Sequence, residues 1–344
     1  MGIQISEIIP RKEIELSDLK GKTIAIDAFN AIYQFLTTIR QADGTPLMNS
    51  KGKTTSHLSG IFYRNINLLV EGLKPIYVFD GKPPELKQKE IEDRRKAKEQ
   101  ALEFYEKAKE EGNIDNMRKF SAQTVKITDE IIQESKDILR AMGIPIIQAE
   151  MEGEAEAALM AREGLSWASA SQDYDSLLYG TPRLIRNLTL SRKRKTSSGS
   201  SVDTTIELVE FDEVLNKLQI NQEQLICLAI LVGTDYNPGG VRGIGQKRAL
   251  EIVQKYQYPV KIFDYVKDSG KYEMIFDWQE IFKLFKELRV KTTEMPEFKS
   301  PDKEQIKKIL VQDNDFGEER ISNALDKLNV LEESKKQKNL HEFF

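Results

Sequence analysis

Seven carboxylates stand where a fold could gather them: Asp27, Asp80, Glu152, Glu154, Asp173, Asp175 and Asp235. Asp27 ends the apolar run Thr23-Ile24-Ala25-Ile26. Asp80 ends Pro75-Ile76-Tyr77-Val78-Phe79, and Asp173 and Asp175 follow Trp167-Ala168-Ser169-Ala170. Each run reads as a short buried strand. Ligands of open parallel sheets bind beyond the carboxyl ends of the strands, so these acids are expected on one edge. Glu152 and Glu154 introduce a helix, and Asp235 follows the apolar helix Leu225–Gly233. Residues two apart point about 200° apart on a helix but share a face in extended chain. Both i, i+2 pairs are therefore expected in extended or turn segments. Seven gathered carboxylates repel one another unless cations neutralise them. Hard oxygen ligands favour magnesium or manganese over zinc. Two such ions, about 3.5–4 Å apart, can activate a water and stabilise the leaving oxygen of a phosphodiester.

Positioning these acids calls for an α/β fold. The first 85 residues alternate strand and helix: strand 23–27, helix 28–36, a helix through Leu58, Ile61, Phe62, Asn65, Ile66 and Leu69 that stops near Gly72, then strand 75–80. Short apolar runs recur at 144–147, 167–170 and 183–185, with a helix at 154–162. Strands alternating with helices imply a mostly parallel sheet covered on both faces. Between Lys82 and Lys126 the pattern changes to a helical stretch with twelve basic and ten acidic residues. A helix polar nearly all round has no face to bury, so it is expected to stand clear of the body as an arm. Arg192–Lys195 is a basic cluster leading into a Ser/Gly loop, and the chain from Asp212 onward is helix-rich.

Composition narrows the classes. In 344 residues there are one cysteine and two histidines, too few for a disulfide scaffold or a Cys/His zinc site. An apolar content of 40% supports a sizeable core. The net charge is −4, and setting the seven acids aside leaves the remainder at +3. Apolar stretches such as Leu225–Val232 are too short to cross a bilayer, and the N-terminus has no secretory pattern. The expectation is a soluble intracellular protein. Gly2 and Ser6 match the short myristoylation pattern.

The strings Ile26-Asp27-Ala28, Val78-Phe79-Asp80-Gly81-Lys82-Pro83-Pro84, Glu152-Gly153-Glu154-Ala155, Asp173-Tyr174-Asp175 and Gly233-Thr234-Asp235-Tyr236 carry a resemblance. In order and spacing the chain resembles the flap endonucleases, structure-specific 5′ nucleases that include the excision-repair XPG nuclease. The likeness runs from end to end. It implies a PIN-like 5′-nuclease fold spanning 1–331, with a helical arch near 85–127 and a helical DNA-binding part near 212–330. The seven acids become ligands of two magnesium ions, with manganese able to substitute, and Asp80 and Glu154 count among the catalytic residues. Lys87 and Arg94, seven apart and so on one helix face, resemble the basic pair that grips the scissile phosphate. Taken alone they are an ordinary solvated charge run. Tyr33 resembles the aromatic on which a base near the cut stacks, although its helical position alone suggests a core residue. Thr55, in Thr54-Thr55-Ser56-His57-Leu58, and Arg64 are carried over as DNA contacts.

Arg242-Gly243-Ile244-Gly245-Gln246-Lys247-Arg248 reads as the turn of a helix–hairpin–helix near 225–256. There Gly243 and Gly245 let backbone N–H groups approach a phosphate, and Lys247 and Arg248 add charge. The resemblance adds a potassium ion at this hairpin. Gly240–Gly245 imitates a P-loop, but Gln246 stands where its lysine belongs. After Leu331 a polar tail, 332–344, ends in Gln337, Leu340, Phe343 and Phe344, the spacing of a peptide that docks on a sliding clamp of the PCNA type. Two phenylalanines on a charged tail have no core to join, which suits an anchor for a partner's pocket. The expected activity is cleavage of 5′ single-stranded flaps at the junction with duplex DNA, with 5′–3′ exonuclease activity, in Okazaki-fragment maturation and base-excision repair. The enzyme is expected to be monomeric when free of the clamp. Rival readings are a 5′ exonuclease or bubble/junction nuclease of the same family, and a clamp-bound adaptor without activity. The chain stops at Phe344 without a lysine-rich extension, which resembles archaeal members: cytoplasmic, at the nucleoid, rather than nuclear as in eukaryotes.

Overall fold

The computed structural model describes residues 3–190, 193–195, 201–288 and 296–328. Its framework is a sheet of seven strands: β1 Lys12–Ile14, β2 Thr23–Asp27, β3 Lys74–Phe79, β4 Ile146–Gln148, β5 Ala168–Ala170, β6 Arg183–Arg186 and, after the small hairpin β7 Lys193–Lys195 and β8 Ser201–Asp203, β9 Ile206–Glu210. The order is β1-β9-β6-β5-β2-β3-β4. The five strands from β6 to β4 are parallel, and β9 runs antiparallel to both β6 and β1. The sheet is therefore mostly parallel, as the alternation predicts. The antiparallel edge is a difference: β1 and β9 are short and rich in charge, with no clean apolar run to announce them.

Twelve α-helices are described: α1 Ala28–Thr38, α2 Ser56–Val70, α3 Gln88–Glu110, α4 Ile114–Ser121, α5 Asp129–Ala141, α6 Gly153–Arg162, α7 Phe211–Leu218, α8 Gln222–Val232, α9 Gln246–Tyr256, α10 Pro259–Asp268, α11 Trp278–Glu287 and α12 Lys303–Lys307. A further helical run occupies 318–328. The strands' period-two alternation assigns the two faces. Ile24 and Ile26 of β2, with Tyr77 and Phe79 of β3, pack with α1, α2, α5 and the C-terminal helical segments. Ala25, Ile76 and Val78 turn to the other face, against Ala157 and Met160 of α6. A second core joins Ile3, Ile5 and Ile9 to α6 through α11. Helix α8 is apolar all round, and Leu225 to Leu231, with Cys227 among them, are buried.

The arm stretch forms α3 and α4. Only Glu90, Ala101 and Ala108 of α3 are buried, in keeping with its polar surface. Its far end does not stand clear, however. Ser121 Oγ donates to the Gly44 carbonyl at 2.9 Å and Arg118 Nε to that of Ala42 at 2.6 Å, so α4 is fastened to the loop after α1. The polar pattern of α3 concealed this, because the docking uses hydrogen bonds and a small serine in place of an apolar stripe. The tail beyond 328, with the predicted clamp motif, lies outside the described residues.

Helices α1 and α2 touch at Gly60, where an added Cβ would lie 2.2 Å from Phe35 Cγ. Alanine in a helix gains about 1 kcal/mol over glycine, but forcing a methyl into a packed contact costs about 1–3 kcal/mol. Gly60→Ala is expected to be net destabilising, by about 1–2 kcal/mol in denaturant unfolding. A stabilised variant would show that Phe35 yields freely.

Candidate active site

The carboxyl ends of the parallel strands form one edge. Asp27 is the last residue of β2, Asp80 follows β3, and Asp173 lies just beyond β5. From β2 the chain adds β3 and β4 on one side and returns to add β5 and β6 on the other. The β2/β5 boundary is thus the switch point where such sheets open a crevice. Asn30, in the first turn of α1, spans it. Its Nδ2 donates to Asp173 Oδ2 at 3.2 Å, and its Oδ1 accepts from the Gln172 N–H at 3.2 Å. Asp27 itself caps α1, accepting from the Asn30 N–H at 3.0 Å.

Backbone geometry places the other acids. Asp80 Oδ1 accepts from the Gly153 N–H at 2.6 Å, which joins the end of β3 to the start of α6. The intervening turn tolerates no side chain at Gly81, where a Cβ would stand 2.2 Å from the Ala149 carbonyl oxygen. Glu152 is the N-cap of α6 and Glu154 lies in its first turn. Asp175 opens a short 3-10 turn, Asp175–Leu177. The expectation that both pairs sit in extended or turn chain is therefore corrected for Glu154, which is helical. A helix N-terminus favours acids through its dipole, so a helical position costs them nothing. Ser176 donates to Glu154 Oε1 from its N–H at 3.1 Å and its hydroxyl at 2.9 Å. The Ile3 N–H donates to Asp175 Oδ1 at 2.9 Å, so the N-terminal segment reaches the site. Gly2 is outside the described residues. Asp235 follows α8 on a turn tied by Thr234 and Asn237, whose side chains bond at 2.7 Å.

Lys87, at the foot of the arm, enters this nest. Its Nζ pairs with Glu152 and lies 3.1 Å from Asp235, and two turns along α3 Arg94 reaches Asp235 at 3.2 Å. Tyr33 on α1 is 41% exposed, with Lys98 Nζ 6.0 Å above its ring, so it faces outward and not into the core. Thr55 is buried at 4% exposure, and Arg64 is half-buried in α2. Both are set into the protein by the helix's apolar packing, unlike the displayed contacts the resemblance suggests. At the hairpin between α8 and α9, Gly243, Gly245, Lys247 and Arg248 are all exposed, with Gly245 as the N-cap of α9. Sequence reasoning missed Asn30, Ser176, Tyr179 and Tyr236, neutral donors to the acids. The one available signal was adjacency, Tyr236 following Asp235 and Ser176 following Asp175.

The acids sense one another. Burial, then the charge of Asp80, pushes Asp27 up to about 8. Burial, then Asp235 and Asp173, pushes Asp175 up to about 8. Burial and Glu152 push Asp80 up to about 6. Glu154 is raised well above its ordinary value by burial, then by Asp175, Asp173 and Asp27. Burial also works against Asp235, but the positive charges beside it, Lys87 first and then Arg94, together outweigh it and hold that carboxyl below its usual value. Among the described residues no three acids close up tightly enough to enclose an ion. The donor set nonetheless suits hard divalent cations: all oxygen, buried or half-buried, and carrying negative charge that the protein leaves partly unneutralised.

Carboxyls raised in the folded state bind protons that the unfolded chain, with carboxyls near 4, releases. Their destabilising effect is full above about 8 and is relieved as pH falls toward the unfolded value. In chelator, the melting temperature is therefore expected to rise from about pH 9 to about pH 5.5, and millimolar magnesium should flatten that slope. A melting temperature independent of pH in chelator would contradict the coupling.

The XPG N-terminal domain family matches residues 1–101 and the XPG I-region residues 143–235, leaving most of the arm between the two. Flap endonuclease 1 of Pyrococcus furiosus is 52% identical over 346 residues, covering 100% of this chain and 99% of its own length. That of Saccharolobus solfataricus is 52% identical over 320 residues, 92% of this chain and 91% of its own. The solved flap endonuclease-1 from Methanococcus jannaschii superposes with a TM-score of 0.76 at 42% identity, covering 97% of this chain and 100% of that one. The Rad2 catalytic core in complex with DNA substrate shares the fold at 22% identity and a TM-score of 0.70, over 92% of this chain and 96% of that one. With near-complete coverage at such identity, and its acids gathered at one sheet edge, the chain belongs to the flap endonuclease 1 family of XPG nucleases.

Proposed function

We propose that the chain cleaves 5′ single-stranded flaps at their junction with duplex DNA by hydrolysing a phosphodiester. The observation that carries this reading is the entry of Lys87 and Arg94, from the foot of the arm, into a nest of seven carboxylates on the sheet edge. Two divalent cations held by Asp27, Asp80, Glu152, Glu154, Asp173, Asp175 and Asp235 would neutralise the site and activate a water, with magnesium as the expected ion. The chain's own residues do the rest. Lys87 and Arg94 grip the scissile phosphate and stabilise charge that builds on it. Tyr33, exposed on α1, offers a face to a base near the cut without reading its identity. The exposed hairpin of Gly243, Gly245, Lys247 and Arg248 holds duplex backbone at the start of α9, and a potassium ion there is part of the proposal.

A labelled double-flap substrate with magnesium tests the reading. Cleavage near the junction supports it, stepwise trimming of blunt ends supports an exonuclease, and binding without cleavage supports an adaptor. Lys87→Ala is expected to lower kcat by about 10²–10³-fold with little change in KM, the usual loss for a transition-state donor. A variant with near wild-type kcat would remove Lys87 from the chemistry.

No described helix is long and apolar enough to cross a membrane, and the proposed setting is the nucleoid of an archaeal-like cell. Docking on a PCNA-type clamp through Gln337, Leu340, Phe343 and Phe344 rests on the sequence motif. Replacing Phe343 and Phe344 by alanine should weaken clamp binding by about 100-fold or more, in line with the loss of two buried aromatic anchors. Clamp-free cleavage should be unchanged. Calorimetry with the clamp and flap assays without it separate the two.

A further inference from the structure

Glu152 is not held by the helix it caps: its side chain makes no bond to the first N–H groups of α6. A glutamate on a free two-carbon stem has several rotamers, so its orientation is set from elsewhere. Tyr236 Oη donates to Glu152 Oε2 at 2.6 Å. Tyr179 Oη lies 3.1 Å from the Tyr236 hydroxyl and 3.5 Å from the same carboxylate oxygen. A phenol has one proton. Since Tyr236 gives its proton to Glu152, the bond between the two hydroxyls has Tyr179 as donor, so Tyr179 backs Tyr236 and Tyr236 holds the acid.

The rings are not free to follow a moving carboxylate. Tyr179 and Tyr236 are 2% and 7% exposed, and both pack on Phe285 of α11, with centroids 5.1 Å and 5.3 Å away. Phenylalanine would fill the same space without burying a hydroxyl, which is costly unless bonded. The hydroxyls therefore serve the carboxylate and not the packing. With Oε2 fixed by Tyr236, Oε1 is the oxygen turned to Lys87, and so the oxygen offered to a cation.

We propose that Tyr236, backed by Tyr179, is a positioning residue that fixes Glu152 so that Oε1 faces the cation side of the nest. This rests on the reading of the acids as metal ligands. Partners that orient a ligand typically contribute about 10–100-fold in metal affinity. The test uses the full chain without DNA, titrated with manganese and followed by the electron paramagnetic resonance of the free ion. Tyr236→Phe is expected to bind manganese about 10-fold more weakly at an unchanged melting temperature, and Tyr179→Phe to show a smaller loss of the same kind. In flap cleavage the half-saturating manganese concentration should shift by the same factor, with KM for DNA unchanged. In a Glu152→Gln background Tyr236→Phe should have no further effect, because the two act through one carboxylate. Wild-type manganese affinity in Tyr236→Phe, or losses that add in the double variant, would overturn the proposal. If Glu152→Gln leaves manganese binding untouched, the assignment of Glu152 as a ligand fails, and the positioning role falls with it.

Discussion

Repulsion among buried like charges is the constraint around which this molecule is arranged. At an effective dielectric of about 20, two unit charges 4 Å apart interact by about 4 kcal/mol, and here seven carboxylates share one edge. Burial and mutual repulsion lift Asp27, Asp80, Glu154 and Asp175 well above ordinary carboxyls. A fold adopts such an arrangement only if other packing supplies the stability. The two large apolar cores do so, and none of the acids is part of either.

The same constraint explains how each acid is anchored. Backbone N–H groups of Asn30, Gly153, Ser176 and Ile3 each hold one carboxylate. Those donors come from four separate parts of the chain: the first turn of α1, the start of α6, the 3-10 turn after β5 and the N-terminal segment. The site is thus a junction of element ends, and the sheet's switch point is where most such ends meet. Electrostatics decides what occupies the edge, and topology decides where the edge is.

Much of this was legible in the sequence. Short β-branched runs ending in aspartate announced β2 and β3 with their terminal acids, and a parallel sheet put those ends together. The charge pattern of 82–126 announced helices without a core face. What stayed hidden has physical reasons. β1 and β9 alternate charged with apolar residues over too few positions to stand out. Glu154 was misplaced because pairing by two suggests extended chain, while a helix start gives acids an equally good position. Asn30 and Tyr236 carry neither charge nor pattern, and hydrogen bonds to residues far along the chain, such as Asn30 to Asp173, leave no trace in spacing. Thr55 and Arg64 were carried by resemblance alone, and local packing buries the first and half-buries the second.

Lys87 shows how substrate and site are linked. In the DNA-free chain its ammonium neutralises Glu152 and Asp235, and Arg94 assists at Asp235. A phosphodiester entering this edge adds negative charge to a region already overcharged. The Lys87 ammonium and the Arg94 guanidinium already spend donors on these carboxylates. Because Lys87 begins the arm and Arg94 lies two turns along the same face, the foot of the arm and the charge balance of the nest share the same two side chains.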